Sequence, residues 1–314
     1  MAPTLHPNFL TFSNTQKYLL GISGGRDSVA LLHLLLANGY EKLVLCHLNH
    51  GLRGEESDQD AQLVEKLAHD HSLPFEIERI NLNQIMETSS ESMELAARNA
   101  RHRFFKQCAQ KYDCQRLLLA HHADDQAETI LFNLLRGSGG LRGMSFETKH
   151  SDLYFYRPLL GIKREDINTY LTENKILYRD DSTNDQAVAT RNRLRNEAIP
   201  LLENIMGRNI QSSLSRAEEV SSNNETALRK ILSTYELEDP QGRLFLPTIQ
   251  DFHPALQRIT LLDYLKKHHV SNINYSVLNQ CLNLLSDSST AKVNLPGGRY
   301  FRRKEKRLFI EQNS

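Results

Sequence analysis

With 314 residues, 39% hydrophobic and 24% charged, the chain is long enough to bury a sizeable core without disulfide support and to form two domains. Its 38 basic residues balance 38 acidic ones, which excludes a uniformly basic nucleic-acid binder and leaves only a local basic patch to serve that purpose. Cys46, Cys108, Cys114 and Cys281 form no CxxC pair, no apolar run approaches the ~20 residues needed to span a bilayer, and the N-terminus has no basic-then-apolar leader. Reduced thiols, no membrane association and a soluble, cytoplasmic protein are expected.

The first organised stretch is Tyr18 to Leu36, where an apolar run meets Ser23-Gly24-Gly25-Arg26-Asp27-Ser28 and then a second apolar run. This reads as strand, tight turn and helix. Two glycines let the backbone approach a ligand, Ser28 can cap the helix, and the free N–H groups of the helix start suit phosphate. The loop lacks both the lysine of GxxxxGK[ST] and the spacing of GxGxxG. A carboxylate beside phosphate repels it unless a divalent cation bridges the two, so Asp27 predicts Mg²⁺ together with a nucleotide.

Lys42 to Leu48 is a second short strand, followed by Asn49-His50-Gly51-Leu52-Arg53 and a helix with its core stripe at Ala61, Leu63, Val64, Leu67 and Ala68. Pro74 to Ile80 returns as a strand. Glu91 to Tyr112 is a long helix carrying Arg98, Arg101 and Arg103, and Leu117 to Ala120 is another buried strand. This alternation predicts a parallel, Rossmann-like α/β sheet with helices on both faces and ligands at the carboxyl ends of its strands. Three turns gather there: Ser23 to Ser28, His47 to Arg53, and His121 to Glu128. The third, HHADDQAE, opens a helix with Asp124, Asp125 and Glu128, of which Asp124 and Glu128 are expected to share a face. One carboxylate at a helix start satisfies the helix dipole, whereas three exceed that need and suit Mg²⁺ or an ammonium group.

Gly137 to Gly143 is a glycine-rich loop, Tyr154 to Leu160 a strand and its end, and Lys163 to Lys175 a helix. The polar segment Arg179 to Asp185 leads to Arg191, Arg193 and Arg195 at a helix start, where positive charge opposes the dipole and calls for an anion. A long polar helix from about Gly207 to Tyr235 reads as a connector. Helices at Pro254 to His268 and Ile273 to Ser286 precede a hairpin turning at Pro296-Gly297-Gly298, and Arg299 to Arg307 holds six basic residues against Glu305. Those charges serve either as an edge guard or as an RNA contact. The expected division is 1–206 for the catalytic domain, 207–240 for a helical linker and 241–314 for a small α+β domain.

SGGRDS after a strand resembles the signature of the PP-loop, or N-type, ATP pyrophosphatases at every defined position. Together with HLNHGLR, ESMELAARNARHRFF, LAHHADDQAET, YRPLL and DDSTND followed by TRNRLR, it resembles the tRNA(Ile)-lysidine synthetases, in order, over roughly residues 17 to 205. LPGGRYFRRKEKRLFI resembles that family's small tRNA-binding domain, and the shorter architecture without a second C-terminal domain is expected.

The resemblance implies a ligase that uses ATP, Mg²⁺ and L-lysine on the wobble cytidine of the isoleucine tRNA with a CAU anticodon. It implies ATP at Ser23, Gly24, Gly25, Arg26, Asp27, Ser28, His50 and Arg53, with no separate role for Arg26, and Mg²⁺ at Asp27 and Asp125. Lysine falls to Asp124, Asp125 and Glu128; the catalytic residues are Asp27, Asp125 and Arg195, with Arg195 on phosphate charge. The tRNA falls to Arg98, Arg101, Arg191, Arg302, Arg303 and Lys304, and a homodimer follows from resemblance alone. The alternatives are another PP-loop tRNA-modifying enzyme of the thiolase type, which wants a cysteine pair, and a non-catalytic ATP-binding module.

Overall fold

A computed structural model of the chain describes residues 2–51, 55–82, 84, 93–137, 140–179, 190–286 and 291–312. They fall into two compact units, Met1–Thr129 with Met144–Gln211, and Ile130–Gly143 with Ser212–Ser314.

The first unit begins with a short helix α1 (Pro7–Leu10) and is built on a six-stranded sheet in the order β3-β2-β1-β4-β6-β5. Its strands are β1 (Tyr18–Gly21), β2 (Leu43–Asn49), β3 (Phe75–Arg79), β4 (Arg116–Leu118), β5 (Glu147–His150) and β6 (Leu153–Tyr156). All neighbours are parallel except β5, which pairs antiparallel with β6 and is exposed along its length, as an edge strand tolerates. Alternation along the central strands assigns the two faces. Tyr18, Leu20, Leu43 and Leu45 join α2 (Arg26–Ala37), α3 (Glu55–Asp70) and the later Ile167, Tyr170 and Leu171 in one core. Leu19, Val44 and Cys46 face the opposite way, onto Phe104, Phe105 and Cys108 of α4 (Met93–Tyr112). Both faces of β1 and β2 are covered, which is why their sequences are continuous apolar runs.

The chain proceeds outward from β1 through β2 to β3, then returns to place β4 on the other side of β1. The β1/β4 junction is therefore the point where strand order reverses, and the turns after these two strands diverge to leave a crevice. From β4 the chain enters α5 (Ala123–Leu135), and after β6 come α6 (Arg164–Glu173), α7 (Thr190–Arg193), a π-helical turn (Leu194–Ala198) and α8 (Ile199–Met206).

The second unit holds α9 (Gln211–Leu232), whose first residue belongs to the other unit, then β7 (Leu244–Phe245), α10 (Leu246–Gln250), α11 (Pro254–Lys267), α12 (Tyr275–Asn283), β8 (Lys292–Leu295), β9 (Arg299–Lys304) and β10 (Arg307–Gln312). Leu232 is the buried residue of α9. The sheet is antiparallel in the order β7-β10-β9-β8, and Phe301 and Leu308 fill a core with Leu261, Tyr264, Leu265 and Cys281. The hairpin at Gly297 and Gly298 is followed by one that the sequence did not signal. Lys304 pairs with Arg307 across Glu305 and Lys306, both of which sit at positive φ, 51° and 56°. Among the described residues, no helix is long and apolar enough to cross a membrane.

Candidate active site

The loop after β1 closes on itself. Ser28 is buried, its Oγ donates to the Gly25 carbonyl at 2.9 Å, accepts from the Ser23 N–H at 3.1 Å and lies 3.1 Å from the Ser23 hydroxyl, while the Gly25 N–H donates to Ser23 Oγ at 3.2 Å. Gly25, in extended conformation, is the residue that caps α2. The expected Ser28 cap is corrected thereby: Ser28 lies in the first turn, and its hydroxyl ties the loop rather than ending the helix. Gly24 has φ of 86°, and a Cβ there would come within 3.2 Å of the Asp60 carbonyl oxygen, so both conformation and space require glycine. The loop is held from outside as well. The Arg179 N–H donates to the Gly24 carbonyl at 3.1 Å, and Arg179 Nε donates to buried Asp60 at 2.8 Å. Arg26 has its guanidinium 5.3 Å from the centre of the Tyr178 ring, a cation–π contact.

Across the switch point, β4 delivers His121 and His122 and then α5. His122 is 1% exposed and organises three carboxylates. Its Nε2 lies 3.5 Å from Asp27 and 3.5 Å from Asp125, and its Nδ1 lies 3.7 Å from Asp124. Burial works against an imidazolium there, but hydrogen bonds to Asp124 and Asp27 and the charge of Asp125 outweigh it, raising the pKa to about 10. Asp27 and Asp124 are correspondingly lowered, burial being overcome by His122 in both cases. The turn HHADDQAE by itself assigns neither His121 nor His122 a role. The signal was present, since a histidine pair leaving a buried strand must send successive side chains to opposite faces.

Asp125 and Glu128 share one partner. Asp125 accepts from the His122 N–H at 3.0 Å and from Arg195 Nη2 at 2.7 Å, while Glu128 accepts from Arg195 Nε. The pairing is thus Asp125 with Glu128, one helical turn apart, and Asp124 turns instead toward the Arg164 N–H at 3.3 Å. Asp124 and Glu128, four apart on α5, share a face as expected but take different partners. Burial raises the pKa of Glu128 even against the pull of Arg195. Arg195 comes from the π turn, and that wider turn carries its guanidinium inward while Arg193 remains outside on Glu197 at 3.0 Å. Arg195 pairs with both carboxylates here.

His50 is half-buried just beyond the end of β2, and Arg191 is exposed in α7. Arg98 and Arg101 are exposed on α4. Arg53 and the segment 180–189, including the DDSTND run, lie outside the described residues. In the second unit Arg302 forms a pair with Glu311 at 2.8 Å, Arg303 donates to the carbonyls of Leu284 and Ser286, and Lys304 is 3.8 Å from Glu305.

For Mg²⁺ the fit differs between the two candidate ligands. Asp27 Oδ1 is buried with no hydrogen-bond partner among the described residues, a position that costs about 1–3 kcal/mol unless a ligand completes it. Both oxygens of Asp125 already accept hydrogen bonds. The described residues hold no cluster of three or more His, Cys, Asp or Glu that could hold a metal.

A doubly covered parallel sheet with a serine-tied phosphate loop at its switch point defines a nucleotide-binding α/β protein of the PP-loop class. The PP-loop domain family matches residues 3–202, and the chain belongs to that family. It is 35% identical over 265 residues to the tRNA(Ile)-lysidine synthase of Bacillus anthracis, covering 80% of this chain and 56% of that protein. To the tRNA(Ile)-lysidine synthase of Porphyromonas gingivalis it is 41% identical over 205 residues, covering 64% and 44%. The chain thus spans about half the length of these curated relatives. Among solved structures, the U34-tRNA thiolase NcsA from Methanococcus maripaludis matches with a TM-score of 0.55 at 21% identity, over 69% of this chain and 75% of that one, a likeness of fold.

Proposed function

We propose that the chain ligates L-lysine to C2 of the wobble cytidine of the isoleucine tRNA bearing a CAU anticodon, using ATP. The observation that carries this reading is the line Asp27–His122–Asp125–Arg195–Glu128, which joins the phosphate loop to an acidic pocket within hydrogen-bonding reach. The curated relatives named tRNA(Ile)-lysidine synthase support it.

In the first step the cytidine 2-oxygen attacks the α-phosphorus of ATP. A new O–P bond forms, the α–β bridging P–O bond breaks, and pyrophosphate leaves. The loop of Ser23 to Ser28 would hold the phosphates, and the helix start behind it favours negative charge. Mg²⁺ beside Asp27 would supply charge neutralisation for the phosphates. In the second step the lysine ε-amine attacks C2, the C2–O bond breaks and AMP departs, while the amine loses a proton. Asp124, Asp125 and Glu128 are the groups that orient the ammonium and accept its proton, and Arg195 sets the geometry of the last two. The tRNA is assigned to Arg98, Arg101 and Arg191 and to the hairpin residues Arg302, Arg303 and Lys304, with residues 1–206 as the catalytic part and 241–314 as the RNA-binding part.

The test supplies ATP, Mg²⁺, labelled lysine and bulk bacterial tRNA. Label entering RNA with stoichiometric AMP supports the proposal; ATP binding without incorporation rejects it in favour of a binding module, and incorporation of sulfur in place of lysine rejects it in favour of a thiolase. Asp27→Ala should abolish incorporation and leave tRNA binding intact, as filter binding would report.

A further inference from the structure

Three elements of the first unit meet the phosphate loop at one end and line a cavity at the other. α2 starts at Arg26, directly after Gly25, and its far end contributes His33, Leu36 and Ala37 to the cavity wall. At 1.5 Å per residue the loop end of this helix and Leu36 lie about 15 Å apart. α3 carries Asp60 at the Gly24 contact and, from one turn further on, Leu63, Lys66 and Leu67 in the wall. The third element is the chain that leaves α6. Ile176 and Leu177 line the cavity, Tyr178 receives the Arg26 guanidinium, and Arg179 forms a β-bridge with Gly25 and holds Asp60.

The cavity measures about 560 Å³, inside the range of about 300–1,000 Å³ that small-molecule sites occupy. The end of α6 fixes its wall. The Asn174 side chain donates to the Tyr170 carbonyl at 2.8 Å, the Ile176 N–H donates to the Leu171 carbonyl at 2.9 Å, and Lys175 between them has φ of 51°. The floor is apolar, made by Leu36, Leu63, Leu67, Tyr170 and Ile176. Leu177 is 76% exposed, so apolar area at the rim remains to be covered. The polar groups select the sign of the charge. Lys66 is paired with Asp70 at 2.5 Å, whereas the Lys175 ammonium has no ion pair among the described residues. His33 and His71 meet edge to face with ring centroids 5.2 Å apart, and neither ring makes a hydrogen bond among the described residues. Burial and the neighbouring His71 lower the pKa of His33, which keeps its ring neutral at pH 7 with an N–H to donate. One uncompensated cation, unused imidazole groups and an apolar floor fit an apolar body carrying one negative group.

We propose that this cavity binds a small apolar carboxylic acid as its monoanion, and that its occupation tightens nucleotide binding at the loop of Ser23 to Ser28 by holding residues 176–179 against Gly24, Gly25 and Asp60. The acid is aliphatic or aromatic, since the floor accepts either. The binding half stands on the cavity alone. The coupling half rests on nucleotide binding at the loop and not on lysine transfer.

The test titrates the whole chain by calorimetry with octanoate, 2-naphthoate and, as a charge control, octanol; the stronger of the two acids identifies the class. α,β-Methylene-ATP with Mg²⁺, which cannot be split between the α- and β-phosphates, is then titrated with and without saturating acid. Ala37→Trp fills the cavity from an exposed position, and Leu177→Asp places a like charge at its rim; each should abolish acid binding, and the second decides the matter if the first fails to fold. Lys175→Asn removes the cation while keeping a residue that tolerates positive φ, and should weaken acid binding about threefold with octanol unchanged. With the acid bound, the nucleotide analogue should bind about fivefold tighter, and by reciprocity the acid should gain the same factor from the analogue. No acid binding, or binding that survives both Ala37→Trp and Leu177→Asp, overturns the site. Octanol binding as tightly as octanoate overturns the anion assignment, and an analogue affinity that is unchanged or weakened by the acid overturns the coupling. If the analogue does not bind at all while the acid does, the nucleotide reading fails and the acid site stands.

Discussion

Asp27 is held by one imidazole and left open on one oxygen. Its Oδ2 is 3.5 Å from His122, while Oδ1 is buried without a hydrogen-bond partner among the described residues. The neighbouring imidazolium keeps this carboxylate ionised, and its unpartnered oxygen costs stability unless a ligand meets it. At the far end of the chain, Glu305 and Lys306 show residue-scale strain of another kind. A two-residue hairpin turn with both residues at positive φ matches the right-handed twist of its strands but penalises side chains with a Cβ. Lys306→Gly should therefore stabilise the second unit by about 1 kcal/mol, read as a higher urea midpoint with an unchanged m-value. A lower midpoint would show that the lysine side chain contributes more than its backbone costs.

At the scale of elements, the phosphate loop is shaped by its neighbours as much as by its own glycines. α3 contributes Asp60, whose carbonyl sits against Gly24 and whose carboxylate holds Arg179, and the Arg179 backbone returns a hydrogen bond to Gly24. This clamp lets the chain around residue 179 follow the loop. Asp60→Asn should cost about 1–3 kcal/mol in urea unfolding and raise the KM for ATP several-fold with a smaller change in kcat. A loss of stability with KM unchanged would make the pair a packing feature only. The π turn is the other element that matters. Arg191 and Arg195, four apart, would share one face of an ideal helix, but the widened turn at Leu194–Ala198 separates Arg195 and delivers it to Asp125 and Glu128.

For the whole molecule, charge balance conceals a division of labour. Asp239 binds Arg243 at 2.8 Å and Arg307 at 3.1 Å, tying the segment before β7 to the last strand of the second unit. Burial would raise its pKa, but these arginines and the Arg243 N–H lower it well below the usual carboxylate range. A folded-state pKa below the unfolded value means that the stabilisation is fully present above about pH 4 and is lost as pH falls toward the folded value. Asp239→Asn should therefore lower the thermal midpoint at pH 7 and differ progressively less from wild type below pH 4; a difference that does not shrink between pH 4 and pH 2 would contradict this. The basic tail is also less free than its composition suggests, since Arg302 and Arg303 have internal partners. Of the three tail residues assigned to RNA, Lys304→Gln is the change expected to flatten the salt dependence of tRNA binding with the least effect on folding, measured by filter binding beside a thermal melt.

The local code determined much of this protein. Apolar runs of four to seven residues broken by Gly, Asp and Ser fixed the strands and the turns that follow them, and the SGGRDS loop identified phosphate chemistry because that backbone shape needs those residues wherever it occurs. HHADDQAE was visible as an acidic cluster after a strand, because charges at strand ends have few structural uses. Their partners were not legible. Asp125 meets Arg195 across 70 positions and Asp60 meets Arg179 across 119, and only the order in which strands assemble decides such meetings. The π turn, the antiparallel β5 and the Glu305-Lys306 hairpin were hidden because tertiary packing overrode weak local preference. The sequence by itself thus determined which chemical groups stand at the carboxyl edge of the sheet. The tertiary structure decided their pairing and charge state, because both depend on burial and on neighbours distant in the chain.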